Sequence, residues 1–345
     1  KSPSRRAAFD AKRKIGSHDK KVNKSMPTEQ IEKASNIQLK LLDHQKKALE
    51  RAKQHYGFAL FCETGTGKTI IAIELIKYRA VRTLIVAPLS ILNSVWVEEL
   101  EKWAPNLTPV NLWKERKKID LDSLTKNDVG IINYESFENL PGSYLNSIRF
   151  LILDESSRIK SHDSNIAKLL AGSPSGRGGA GYAEKCFYRL ILSGTPAPNT
   201  PLEYWPQMAV VDKKILGSNF YSFRGEYFYS YGYGNYQWKM RTSMAENLMD
   251  RIKRKSFFIS KEDCLDLPEQ IFQTRTYEME SRHRLLYDRL KKAHVADFAG
   301  KTVLGVTEIA KLMKLREITS GFFVDTDGAA LDVSKSKFNL LKEVL

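Results

Sequence analysis

The sequence predicts an α/β fold, a parallel sheet flanked by helices. Three observations carry that prediction. Short apolar runs rich in β-branched residues recur along the chain, as strands buried on both faces require. Helix-like stretches separate most of them. The segments with chemical character fall at the C-terminal ends of those runs, where open α/β sheets bind their ligands.

The chain has 345 residues, 42% hydrophobic and 28% charged, enough for one large or two medium domains. Residues 1–35 hold ten Lys/Arg against four Asp/Glu and show no apolar period. They read as a basic, flexible arm, solvated or touching phosphates. A helix is expected from Leu41 to about Gln54. Inside it, Gln45 is a candidate for reading an adenine edge, because its amide offers both a donor and an acceptor. Phe58–Phe61 is the first strand, and Ile70–Ile76 begins the next helix.

Between them lies Glu63-Thr64-Gly65-Thr66-Gly67-Lys68-Thr69. Glycines in such a turn let backbone N–H groups converge on an anion, and the following helix N-terminus adds partial positive charge. Lys68 is placed to reach the β- and γ-phosphates of a nucleotide, and the Thr69 hydroxyl to hold Mg²⁺. The usual first glycine of such a loop is Cys62 here.

Thr83–Pro88 is the next strand, with a helix expected from Leu89 through Trp103. Further strands are Val129–Tyr134, Phe150–Glu155 and Tyr188–Ser193. Asp154-Glu155 ends its strand 86 positions after Lys68. Mg²⁺ on a triphosphate needs few protein carboxylates, so this pair suffices: Asp154 for the ion and Glu155 for the attacking water. Ser193-Gly194-Thr195-Pro196 closes the following strand, a hydroxyl-bearing turn suited to sensing the γ-phosphate.

Gly172–Gly181 reads as a loop by composition. Phe220–Trp238 holds ten aromatics in nineteen residues, with Arg224, Lys239 and Arg241 nearby. A hairpin whose aromatics pack on one another is the first reading, and stacking on bases the second. Beyond residue 243 the pattern is mostly helical. Gln270–Tyr277 alternates like a strand, and helices are expected over 281–297, 307–320 and 338–345.

The net charge is +15 and the pI near 9.5, which favours a polyanionic partner such as nucleic acid. Cys62, Cys186 and Cys264 are far apart in sequence, without metal-ligand spacing, and read as reduced intracellular thiols. No apolar run approaches a membrane span, and the start lacks the apolar core of a signal peptide.

Taken together, these motifs resemble those of helicase superfamily two. Glu63–Thr69, Asp154–Ser157 and Leu192–Pro196 look like its motifs I, II and III. The finer resemblance is to the Swi/Snf-like DNA translocases. It rests on Leu41-x-x-His44-Gln45, Val86–Leu92 with Trp96 and Glu99, Ile132–Glu135, Leu202–Trp205, Leu267-Pro268 and Ile309–Ile318. Asp-Glu-Ser-Ser is similar to the compact bacterial and phage members. The resemblance implies a RecA-like ATP-binding lobe over 36–200. An insertion with return to that lobe follows over 201–275, and the helical start of a second lobe over 276–345. It implies ATP bound by Gln45 and by Glu63, Thr64, Gly65, Thr66, Gly67, Lys68 and Thr69. Thr69 and Asp154 would hold Mg²⁺, with Lys68, Asp154 and Glu155 catalytic and Ser193, Gly194 and Thr195 coupling. Pro88, Leu89, Ser90 and Tyr134 would contact duplex or branched DNA.

Two departures qualify what carries over. Ser157 stands where the family usually has His. The chain ends where the next motif would begin, so an arginine finger is expected from residues beyond Leu345, and this chain alone should hydrolyse ATP poorly. The implied activity is ATP-driven movement along DNA, in a bacterial or phage-infected cytoplasm, or in a nucleus if the host is eukaryotic. An RNA helicase, a restriction-system motor, or a nucleic-acid-binding module with a vestigial ATPase remain alternatives.

Overall fold

An apolar run buried on both faces has to sit in the middle of a sheet, and that is where the runs fall. The computed structural model describes residues 41–177, 179–264, 272–293, 295–298, 300–304 and 307–344. The basic arm and the Leu267-Pro268 motif lie outside them. The chain divides into two compact units, Lys1–Leu267 and Pro268–Leu345, parting ahead of the 275/276 boundary expected from sequence.

In the first unit, α1 (Asp43–Lys53) leads into β1 (Gly57–Cys62) and α2 (Lys68–Arg79). Then come β2 (Thr83–Ala87), α3 (Glu98–Trp103), β3 (Thr108–Asn111), α4 (Leu112–Glu115) and β4 (Asp128–Asn133). They are followed by α5 (Gly142–Ser147), β5 (Phe150–Leu153), α6 (Asn165–Ala171) and β6 (Tyr188–Ser193). The unit closes with α7 (Tyr204–Asp212), α8 (Phe220–Tyr227), β7 (Phe228–Tyr231), β8 (Gln237–Met240), α9 (Ala245–Lys253) and β9 (Ser256–Ile259).

Seven strands form one parallel sheet in the order β3-β4-β2-β5-β6-β1-β9. Alternate residues of each strand feed two separate cores. Ala59, Phe61, Leu84 and Val86 join α7 and α8 on one face, while Phe58, Leu60, Ile85 and Ala87 join α1, α2 and Trp96 on the other. Each fully buried large side chain contributes about 1.5–3 kcal/mol, so the central strands anchor the unit. The five strands expected up to Ser193 are all present. The two missed ones, β3 and β9, are the sheet edges. There burial is partial, and Pro109 is tolerated because an edge position needs no donor.

Three other expectations are corrected. The single helix over Leu89–Trp103 is a 3-10 turn (Leu89–Ile91), a π-helical turn (Leu92–Val97) and then α3. Residues 272–277 are not a strand, and 295–298 form a strand rather than the end of a helix. The aromatic segment is a helix plus a hairpin, β7 pairing antiparallel with β8. The Gly172–Gly181 loop is pinned down: Phe220 donates to Pro174 O at 2.8 Å and Asn219 Nδ2 to Ser175 O at 2.7 Å.

The second unit holds α10 (Ser281–Ala293), the ribbon β10 (Val295–Phe298) with β11 (Lys301–Leu304), and α11 (Glu308–Thr319). After them come the ribbon β12 (Phe322–Val324) with β13 (Ala330–Asp332) and α12 (Ser336–Val344). Its core is Leu286, Leu290, Leu315, Ile318 and Phe323.

Candidate active site

The loop after β1 takes its shape from two left-handed glycines. Gly65 has φ 90° and Gly67, which caps α2, has φ 88°. A Cβ on Gly67 would also meet Gln45 Nε2 at 2.2 Å. Thr66 closes the turn by donating from Oγ1 to Glu63 O at 2.8 Å. The Lys68 ammonium lies across the loop, donating to Cys62 O at 2.8 Å and Glu63 O at 3.2 Å. Burial pushes the Cys62 thiol up to about 12, so the residue at the missing first glycine is an inert apolar group.

Helix α1 grips this loop. Gln45 Nε2 donates to Thr66 O at 3.1 Å, the ring of His44 bonds the same carbonyl at 2.9 Å, and Gln45 Oε1 accepts from Leu42 N at 3.0 Å. Gln45 therefore braces the phosphate loop as well as standing beside it. Glu63 braces it from the other side, accepting from Lys261 N at 3.0 Å. The Lys261 side chain passes close to Gly65, 3.6 Å from where a Cβ would lie. The sequence does not mark this second lysine at the loop, because it lies two residues past β9, an edge strand that its pattern does not announce. The apolar run Phe257-Phe258-Ile259 was the available signal.

Asp154 is buried at the end of β5. Its Oδ2 accepts from the indole N–H of Trp96 at 2.8 Å and its Oδ1 from Glu155 N at 2.9 Å. Burial raises its carboxyl above the ordinary range, and these two bonds and the nearby Lys68 work against that rise. Two oxygens fixed in this way suit a carboxylate that meets Mg²⁺ with water and phosphate oxygens filling the remaining positions. Among the described residues no group of three His, Cys, Asp or Glu could hold a metal ion. Glu155 has φ 50°, a left-handed backbone for a non-glycine residue.

Motif III meets both other motifs. Gly194 packs on the phosphate loop, its Cβ position 3.2 Å from Thr64 Oγ1. Ser193 is fully buried, and its Oγ accepts from Thr195 N at 3.2 Å. Ser156, next to the acid pair, donates to Gln207 Oε1 at 2.7 Å, and Gln207 Nε2 donates to Pro196 O at 2.5 Å. This buried bridge through α7 links motif II to motif III, although Ser157 replaces the family's His. No single-position pattern in the sequence marked Gln207.

Two expected contact residues, Tyr134 and Pro88, are buried. Tyr134 is 4% exposed, and its hydroxyl donates to Asp154 O at 2.7 Å. Its side chain supports the acid pair rather than lying open to DNA. Leu89 and Ser90 are exposed in the turn after β2, while Pro88 is buried. A cleft of about 640 Å³ lies beside Glu135 and Glu138, whose charges do not suit a polyphosphate. A cleft of about 380 Å³ opens beside the loop between Glu63, Gly194, Tyr204 and Phe258.

The SNF2-related domain matches residues 44–321 of the chain. The chain is 25% identical over 319 residues to the chromatin-remodeling ATPase INO80 of Schizosaccharomyces pombe, covering 83% of this chain and 19% of that protein. It is 24% identical to protein p41 of Acyrthosiphon pisum secondary endosymbiont phage 1, covering 81% and 63%. With the mouse DNA annealing helicase and endonuclease ZRANB3 it shares 28% identity over 189 residues, 53% and 17%. In each case the chain spans less than two thirds of the relative's length. The SWI2/SNF2 ATPase core of Sulfolobus solfataricus in complex with dsDNA superposes with a TM-score of 0.53 at 22% identity, covering 90% of this chain and 65% of that one. At that identity the likeness is one of fold. The matched family spans both units and every motif of the site, and the chain belongs to the SNF2-related family.

Proposed function

We propose that this chain is the nucleotide-binding part of an ATP-driven DNA translocase. The observation that carries this is the convergence of three strand-end motifs on one loop: Lys68 and Gly194 at the phosphate turn, Asp154 held by Trp96, and the Ser156–Gln207–Pro196 bridge between the last two motifs. The amides of Gly65–Lys68 and the α2 N-terminus would hold the phosphates, with Lys68 swinging from the loop carbonyls onto them. Thr69 and Asp154 would hold Mg²⁺, which when bound supplies charge neutralisation at the transferring phosphoryl group. Glu155 would orient water. Gln45 would turn its second amide hydrogen toward the adenine while keeping its grip on Thr66. The exposed turn at Leu89-Ser90 would meet a phosphodiester strand, with little sequence preference. The motor would work in a bacterial or phage-infected cytoplasm, or in a nucleus if the host is eukaryotic.

The test is ATP hydrolysis by the full-length natural protein with duplex DNA, single-stranded DNA or RNA added. Stimulation by DNA, abolished by Lys68→Ala, is expected. Stimulation by RNA alone would overturn the reading in favour of an RNA helicase, and DNA-dependent function that survives Lys68→Ala would favour a passive binding module.

A further inference from the structure

The hairpin β7–β8 presents two unlike faces. Phe228 is buried, and Trp238 and Met240 are partly buried against the main core. The Arg224 guanidinium stacks 4.0 Å from the Trp238 ring, and Arg241 N donates to Tyr227 O at 2.9 Å. The inner face thus fixes the hairpin to the first unit. The outer face carries the alternate residues. Tyr229 lies opposite Lys239, and Tyr231 opposite Gln237. Tyr229 and Tyr231 are 40% and 43% exposed, with ring centroids 6.4 Å apart. Arg241 stands 6.0 Å over the Tyr229 ring. At the tip, Tyr233 and Tyr236 are almost wholly exposed.

Four aromatics left in water on one small element, beside two cations and no carboxylate between Phe228 and Arg241, is an unusual surface. Large exposed aromatic area normally marks a place where something binds. A protein partner would find few apolar aliphatic groups here. The combination of flat rings spaced along a strand with flanking Lys and Arg matches an unpaired nucleic-acid strand, whose bases stack on rings while its phosphates meet the cations. The parallel motor sheet offers no such rings at its own DNA turn, where the exposed residues are Leu89 and Ser90.

We propose that the β7–β8 hairpin is a second nucleic-acid site, a stacking platform for unpaired DNA bases formed by Tyr229, Tyr231, Lys239 and Arg241, with Tyr233 and Tyr236 at its tip. This site rests on the reading that DNA is the partner. It would hold a displaced or single strand while the motor surface follows the duplex, and so favours branched over uniform substrates.

The test compares binding of three probes: oligo(dT), an abasic deoxyribose-phosphate strand of the same length, and a blunt duplex. Tyr229→Ala/Tyr231→Ala is expected to lose tenfold or more in affinity for oligo(dT), since each stacked base contributes on the order of a tenfold factor. It should bind the abasic strand and the duplex as before. Tyr229→Phe/Tyr231→Phe, which keeps the rings, should bind all three normally. Lys239→Ala/Arg241→Ala should weaken both single strands and flatten the salt dependence for them. The proposal is overturned if the double alanine variant binds oligo(dT) unchanged, or if it weakens the abasic strand as much as oligo(dT). DNA-stimulated hydrolysis by the unaltered protein is measured alongside. Its absence would count against the motor reading, while the ratio of oligo(dT) to abasic binding judges the hairpin.

Discussion

At the scale of single residues, the site is held by buried side chains that touch no substrate. Gln207 is completely buried and bridges Ser156 to Pro196. Gln207→Leu would leave a hydroxyl and a carbonyl without partners, at about 1–3 kcal/mol for each group that stays unsatisfied. The expected outcome is a lower melting temperature and a smaller ratio of DNA-stimulated to basal hydrolysis. An unchanged ratio would show that the bridge is structural only. Gly67→Ala would place a methyl group 2.2 Å from Gln45 Nε2, on a backbone that L residues avoid at about 1–2 kcal/mol. Weaker nucleotide binding and a lower melting temperature should appear together. The sequence displayed Lys68, Asp154 and Glu155 plainly, because Lys68 closes a glycine-rich turn between an apolar strand and a helix and the acid pair follows directly on an apolar strand. It concealed Trp96, Tyr134 and Gln207 as site supports, because a side chain in a core pattern looks the same whether or not its polar end meets Asp154 or the turns beside it.

At the scale of elements, local pattern succeeded where burial was complete and failed where it was not. β1, β2, β4, β5 and β6 are central and read as apolar runs, whereas β3 and β9 are edges and do not. The stretch after β2 shows a subtler failure. Helical periodicity is present in Leu89–Trp103, but the π-helical turn over Leu92–Val97 inserts extra residues into the spiral. That irregular turn sets the indole of Trp96 onto Asp154. Trp96→Phe keeps the ring in the core and removes the N–H. Loss of such a supporting bond typically weakens a metal site 10–100-fold, so the Mg²⁺ concentration needed for half-maximal hydrolysis should rise by about that factor. A titration of activity against Mg²⁺ at saturating ATP would measure it.

At the scale of the whole molecule, the first unit has a built-in response to acid. His55 is held below the ordinary imidazole value of 6.5 by burial, and then by Lys255 and Arg51. His162, stacked 3.5 Å from Phe220, is lowered chiefly by burial, against the opposing pull of Asp163. A lowered imidazole favours the neutral ring in the folded chain, so its contribution to stability is full above pH 6.5 and is lost as pH falls from there through the folded values. The melting temperature should therefore drop below pH 6.5, and less steeply in a His55→Gln/His162→Gln variant. The α/β class and the line of motifs were legible at this scale because strand and helix alternate so regularly. The break between units was less so, since Leu267-Pro268 carries no strong change in composition.

The backbone at Glu155 has a consequence for what substitution can select. A residue with a Cβ at φ 50° carries strain of about 1–2 kcal/mol that glycine would not. Glu155→Gly should relieve part of that strain and still abolish hydrolysis. A position where the fold would rest more easily with glycine, and yet bears a glutamate, is one where side-chain chemistry has outweighed folding.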